Sequence, residues 1–234
     1  MINYRQISCL MLCSLPSLFF ASQSFAAGMV PETSMLLISE AKQGGSMNLK
    51  NTDASPGLLY TTIVDLPDDK ETHLMVTQPV VRVEGGETQQ LRFVLQTDKP
   101  LTVEHMKRVI FEGIPQKMPG KNKISFNIRQ DLPVLIHPAN LPEVKDAWTL
   151  LNWSQTASGV TVKNSSPYVV RFVTQFELLP SHAKGELEKS YLLPGQSMTA
   201  KTDKATGNDK QIMFTPVSRY GVPVPVYTAG LNTF

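Results

Sequence analysis

Residues 123–138, KISFNIRQDLPVLIHP, constrain the fold more than any other stretch of the chain. Ile124, Phe126 and Ile128 alternate with Ser125, Asn127 and Arg129, and a period of two marks a strand with unlike faces. The apolar row runs on through Leu132, Val134 and Ile136, and Leu135 makes the end of the stretch apolar on both faces. The first half therefore reads as a strand with one open apolar row, and the second half as a buried strand. Two readings fit this pattern. The row belongs to the chain's own core, or its exposed half is lent to another chain. Alternation alone leaves both open.

The rest of the chain follows the same short-strand rhythm. Strand-like runs fall at 34–38, 47–51, 58–64, 73–83 with a break at Pro79, 89–96 and 108–114. A second set falls at 149–153, 159–163, 168–176, 189–193, 198–200 and 211–215. Turn residues separate them, and Gly44-Gly45 is expected to supply the positive φ angles of a tight reversal. Leu91, Phe93 and Leu95 should share one face. No long amphipathic helix appears; residues 143–147 suit one helical turn at most. Short strands at this spacing predict an all-β protein of sandwich type. Pro138 and Pro142 bracket Ala139-Asn140-Leu141, and prolines stop strand pairing, so the chain divides there into 27–138 and 139–234.

Residues 1–26 read as a removed signal peptide. Arg5 precedes an apolar run from 7 to 21, and Ser24-Phe25-Ala26 offers small residues to a signal peptidase. The run is broken by Pro16 and is short for a membrane span. Cys9 and Cys13, the two cysteines of the chain, both lie in this leader, so the exported protein is expected to need no disulfide or thiolate site. Losing Arg5 lowers the formal net charge of +2 by one. Such a balance argues against bulk binding to nucleic acid or anionic lipid.

Motifs for chemistry are scarce. His73, His105, His137 and His182 show no metal-ligand spacing, and no nucleophile elbow, P-loop or dinucleotide fingerprint is present. No catalytic residue, metal or cofactor is expected. Asp65, Asp68, Asp69 and Glu71 form an acidic loop whose spacing is not that of an EF-hand, so a solvated turn is expected there. What remains is recognition of another polypeptide through an apolar strand edge.

Several segments carry a resemblance. Gln78-Pro79-Val80-Val81-Arg82-Val83-Glu84-Gly85-Gly86-Glu87 is similar to the "PPxxRLxPG" segment of the periplasmic chaperones of the chaperone–usher pathway. Glu104 followed by Ile114-Pro115 resembles their "REs…IPP" signature, with Ile110 where the family has Asn. Ile136-His137-Pro138 stands where the family reads Tyr-Arg-Pro. Asn164-Ser165-Ser166-Pro167-Tyr168-Val169-Val170 resembles their "NPTPYYV" segment, and Leu192-Leu193-Pro194-Gly195 and Arg219-Tyr220-Gly221 resemble their "L-x-PG" and "DYGG" segments. Their order and spacing cover nearly the whole exported chain.

The resemblance implies two immunoglobulin-like domains in an L, a periplasmic location, and no enzymatic activity. The implied partners are fimbrial or pilin subunits and an outer-membrane usher, with no nucleic acid and no membrane insertion. Self-association of the free protein through its apolar row is a further expectation. The implied subunit-binding residues are Ile124, Phe126 and Ile128, lent as a donor strand. The alternative is a chaperone-like sandwich that is itself a structural component of a fimbria or surface. Two departures stand out. The family holds the subunit's C-terminal carboxylate with Arg and Lys, at positions occupied here by Ser34 and Pro133. Its interdomain salt bridge of Glu, Arg and Asp maps onto Glu104, His137 and Arg219, so the cation has moved to the second domain.

Overall fold

The computed structural model describes residues 28–116, 127–156, 159–204 and 207–232. These residues form strands joined by turns, with two single 3-10 turns at Glu40–Lys42 and Ala147–Leu150. The helical turn expected over 143–147 thus begins where that segment ends.

The first half contains β1 (Met29–Pro31), β2 (Leu36–Ser39), β3 (Gly44–Asn51), β4 (Gly57–Asp65), β5 (His73–Val76), β6 (Val80–Val83), β7 (Thr88–Gln96), β8 (His105–Pro115) and β9 (Ile128–His137). Strands β5, β7 and β3 form one layer, and β9, β8, β4 and β6 form the other. β2 links the layers. Its ladder with β3 is the single pair Ser39–Gly44, and it runs parallel to β9 from Leu36–Val134 to Ser39–His137. Every strand contributes alternate side chains to one core. Leu91 and Phe93 of β7, Leu59 of β4, Val109 and Phe111 of β8, and Val134 and Ile136 of β9 all lie inside. The row expected on β7 is therefore a core row, Leu95 included.

The reversal before β3 meets the expectation at Gly44, whose φ is 151°, but not at Gly45; Gln43, with φ 51°, supplies the other positive angle. Both glycines also answer a spatial demand. A Cβ on Gly44 would lie 2.0 Å from the Phe93 carbonyl oxygen, and one on Gly45 would lie 2.5 Å from that of Leu37.

The second half contains β10 (Leu151–Thr156), β11 (Gly159–Asn164), β12 (Val170–Leu179), β13 (Lys184–Glu186), β14 (Tyr191–Leu192), β15 (Ser197–Lys201), β16 (Gln211–Val217) and β17 (Tyr227–Gly230). β10, β11 and β15 form one sheet; β13, β12, β16 and β17 form the other, with β14 also on β12. The core between them centres on Trp153, whose ring lies 5.1 Å from that of Phe214 and 6.4 Å from that of Phe176.

Both halves fasten a turn in the same way, after β3 in the first and after β11 in the second. Asn51 is buried, and its amide donates to the Ser55 and Val83 carbonyls while its oxygen accepts from the Asp53 N–H. Asn164 is buried likewise, donating to Tyr168 and Leu192 and accepting from the Ser166 N–H. An asparagine side chain presents two donors and an acceptor, which suits it to stand in for a missing length of ladder.

Candidate functional site: an open strand edge and an interdomain cleft

The first candidate feature is β9. Its inward row loses cover along the strand. Ile136 and Val134 are fully buried, Leu132 is half-buried, and Ile128 is 40% exposed. One edge pairs with β8 throughout, from Gly113–Ile128 to His105–Ile136. The other edge pairs with β2 only from Val134 onward. Between Ile128 and Pro133 no strand pairs with that edge among the described residues; the Gln130 side chain donates to the Met29 carbonyl, and Gly28 lies beside Ile128. Backbone groups on such an edge are free to pair with another chain. Ile124 and Phe126 lie outside the described residues.

The second feature is the junction of the halves. The Glu104 carboxylate is 3% exposed and receives three groups. His137 Nδ1 lies 2.8 Å away, the Val169 N–H donates at 2.9 Å, and an Arg219 Nη stands at 3.9 Å. His137 also directs Nε2 at the Leu141 carbonyl, 2.9 Å away, so both ring nitrogens face oxygen acceptors. Arg219 reaches Glu143 at 3.7 Å. The structure thus brings Glu104, His137 and Arg219 together, with His137 the nearer partner of the carboxylate. A buried carboxylate is tolerated only when its oxygens are so engaged. Met35, Leu66, Met106, Leu135, Val169 and Leu193 form an apolar cluster beside it.

The acidic loop contributes to the same junction, contrary to the solvated turn expected from sequence. Asp69 is buried, accepting from the Met106 N–H and facing His105 Nδ1, both at 2.8 Å. Asp65 holds the fully buried amino group of Lys107. Asp68 crosses to the second half, where Lys189 donates at 2.8 Å, Gln196 at 3.1 Å and Tyr191 at 3.3 Å. Burial raises the Asp68 pKa, but the hydrogen bonds from Lys189 and Gln196 outweigh it and leave the carboxyl below its ordinary value. The sequence signal for this role was density of acid alone, which says nothing of partners. Among the described residues no group of three or more His, Cys, Asp and Glu could hold a metal ion.

The third feature is the cleft beside the apolar cluster. Ser34 is exposed, and its hydroxyl crosses to the second half, directed at the Tyr220 carbonyl at 3.3 Å. The neighbouring Met35 faces in and lines a small pocket with Leu135, Trp148 and Arg171. Pro133 is buried, opposite Arg108 in the β8–β9 register.

The chain is similar to known proteins in sequence and in fold. The sequence model of the pili and flagellar-assembly chaperone PapD N-terminal domain matches residues 28–142, and that of the pili assembly chaperone PapD C-terminal domain matches residues 146–228. The fimbrial chaperone YhcA of Escherichia coli K12 is 51% identical over 210 residues, covering 89% of this chain and 93% of YhcA. The chaperone protein MrkB of Klebsiella pneumoniae is 23% identical over 194 residues, covering 77% of this chain and 82% of MrkB. Among solved structures, the CupB2 chaperone of Pseudomonas aeruginosa superposes with TM-score 0.69 at 20% identity, over 87% of this chain and all of that one. The SafA pilin–SafB chaperone complex of Salmonella enterica gives TM-score 0.70 at 16% identity, over 89% of this chain and 98% of that one. These two share the fold. An all-β chain of two sandwiches, matched by both domain models and half identical to a fimbrial chaperone, belongs to the family of PapD-like pili assembly chaperones.

Proposed function

We propose that this protein is a periplasmic chaperone that binds fimbrial or pilin subunits by donor-strand complementation and passes them to an outer-membrane usher. The open edge of β9 carries the reading. An apolar row that emerges from the core at Leu132 and reaches the surface at Ile128 is extended in sequence by Phe126 and Ile124. A subunit short of one strand would pair its backbone with this edge and fill its groove with the three side chains. Their burial contributes about 1.5–3 kcal/mol each before the costs of association. The work is binding and release, with no covalent chemistry. Residues 1–26 serve as the export signal, 27–138 form the strand-donating domain, and 139–234 the second domain. The alternative of a structural fimbrial component is not favoured, because both domains match chaperones.

The test is capture from the periplasm. The tagged protein should retain a secreted β-protein in near-stoichiometric amount, identified by mass spectrometry. Phe126→Asp should reduce capture by about a hundredfold, a loss of roughly 2.7 kcal/mol, with an unchanged far-UV spectrum and melting temperature. Equal capture by the variant would overturn the donor-strand reading.

A further inference from the structure

Arg171, on β12, has no anionic partner among the described residues. One Nη lies 3.5 Å from the Met35 sulfur, a weak acceptor, and the buried Nε has no hydrogen-bond partner among the described residues. No carboxylate among the described residues forms an ion pair with it; Glu104, in the same pocket, is engaged by His137, Val169 and Arg219. Burial lowers the Arg171 pKa, and the like charge of Arg108 lowers it further. A half-buried guanidinium beside a second one is costly unless a ligand completes it.

The position of this charge is informative. Arg108 stands opposite Pro133 on β8, on the face that carries Met106 into the apolar cluster. Asp131 takes Arg108 through Nε at 2.8 Å and its own carbonyl at 2.7 Å, on the exposed side. β2 begins to cover β9 at Val134, so a strand added to the open edge must end beside Pro133 and Met35. Running parallel to β9 it would present its C-terminal carboxylate to Arg171 and Arg108. Running antiparallel it would bring its amino terminus against two cations.

We infer that Arg171 of the second domain, assisted by Arg108, binds the C-terminal carboxylate of the captured subunit, in place of the basic residues that positions 34 and 133 lack. This rests on the chaperone reading and assigns the anchoring charge to the domain opposite the donor strand. Arginine suits the role because its planar fork matches a carboxylate with two parallel hydrogen bonds.

The experiment compares capture of the co-purifying subunit by the full-length wild type, Arg171→Met and Arg171→Lys, with the melting temperature of each. Arg171→Met should keep or raise the melting temperature, since it removes an unpaired charge, and should lower capture at least tenfold. Arg171→Lys should restore part of it. A subunit extended by Gly-Gly at its C-terminus should bind wild type as poorly as the native subunit binds Arg171→Met, and should bind Arg171→Met no worse. Undiminished capture by Arg171→Met, or a large fall in its melting temperature, would overturn the assignment while leaving the donor-strand reading intact. Undiminished capture of the extended subunit would overturn the terminal carboxylate as the ligand. Capture of nothing by wild type would remove the chaperone reading and this site together.

Discussion

At the scale of single residues, the two buried asparagines show how polar side chains hold an all-β fold together. Asn164 replaces backbone partners for two carbonyls and an N–H in the turn leading to β12. Asn164→Ala leaves the Tyr168 and Leu192 carbonyls dry and unpaired, which costs about 1–3 kcal/mol each. We expect the second domain to lose roughly 3 kcal/mol by urea denaturation, with β9 unaffected; a change under ~0.5 kcal/mol would show that water replaces the amide. The sequence marks Asn164 as a landmark of the resemblance, but Asn51 carries no such mark. Its equivalence emerges only when both turns are seen to close on it.

At the scale of elements, β9 is one strand in two environments. Its C-terminal half is paired on both edges, and its N-terminal half only with β8. Local stability follows such cover. Hydrogen exchange should therefore be slow from Val134 to Ile136 and faster from Ile128 to Leu132. Addition of the captured subunit should slow the second group by at least tenfold and leave the first unchanged. Uniform slow exchange in the free protein would mean that the edge is already paired, as in self-association. The alternation from Ile128 to Ile136 was legible in sequence; its expected extension to Ile124 and Phe126 lies outside the described residues. Short β1, β13 and β17, of three, three and four residues, were not. Runs of that length hold too few alternations to signal a face, and they form because neighbours offer free edges.

At the scale of the whole molecule, the two sandwiches are joined by a carboxylate cluster, an apolar cluster and the Asp68 contacts. The Asp68–Lys189 pair makes this junction sensitive to pH. The Asp68 pKa is held below its unfolded value, so its contribution is complete above about pH 4 and fades as pH falls through the lowered value. The hydrogen bond to Asp68 outweighs partial burial and raises the Lys189 pKa, so its contribution is complete below about pH 10 and fades as pH rises through the raised value. Both groups are partly exposed, so the pair is worth no more than about 1 kcal/mol. Asp68→Asn should lower stability by that amount at neutral pH and by nothing near pH 2, measured by denaturant unfolding. An equal loss at both pH values would assign the effect to packing.

The sequence alone determined that this chain is all-β, which residues of 89–96 and 128–136 share a face, and which family it resembles. Those properties are local: alternation, turn residues and ordered landmarks are written along the chain. The tertiary structure alone decided where charges find partners. Asp65, Asp68 and Asp69 look like one solvated loop in sequence, yet each meets a different cation or polar group brought from elsewhere in the fold. Ser34 and Pro133 look like a lost anchor, yet folding places Arg171, 136 residues from Met35, against that methionine in the cleft. Coulomb energy depends on distance in space and on burial, and neither is fixed until the domains have packed.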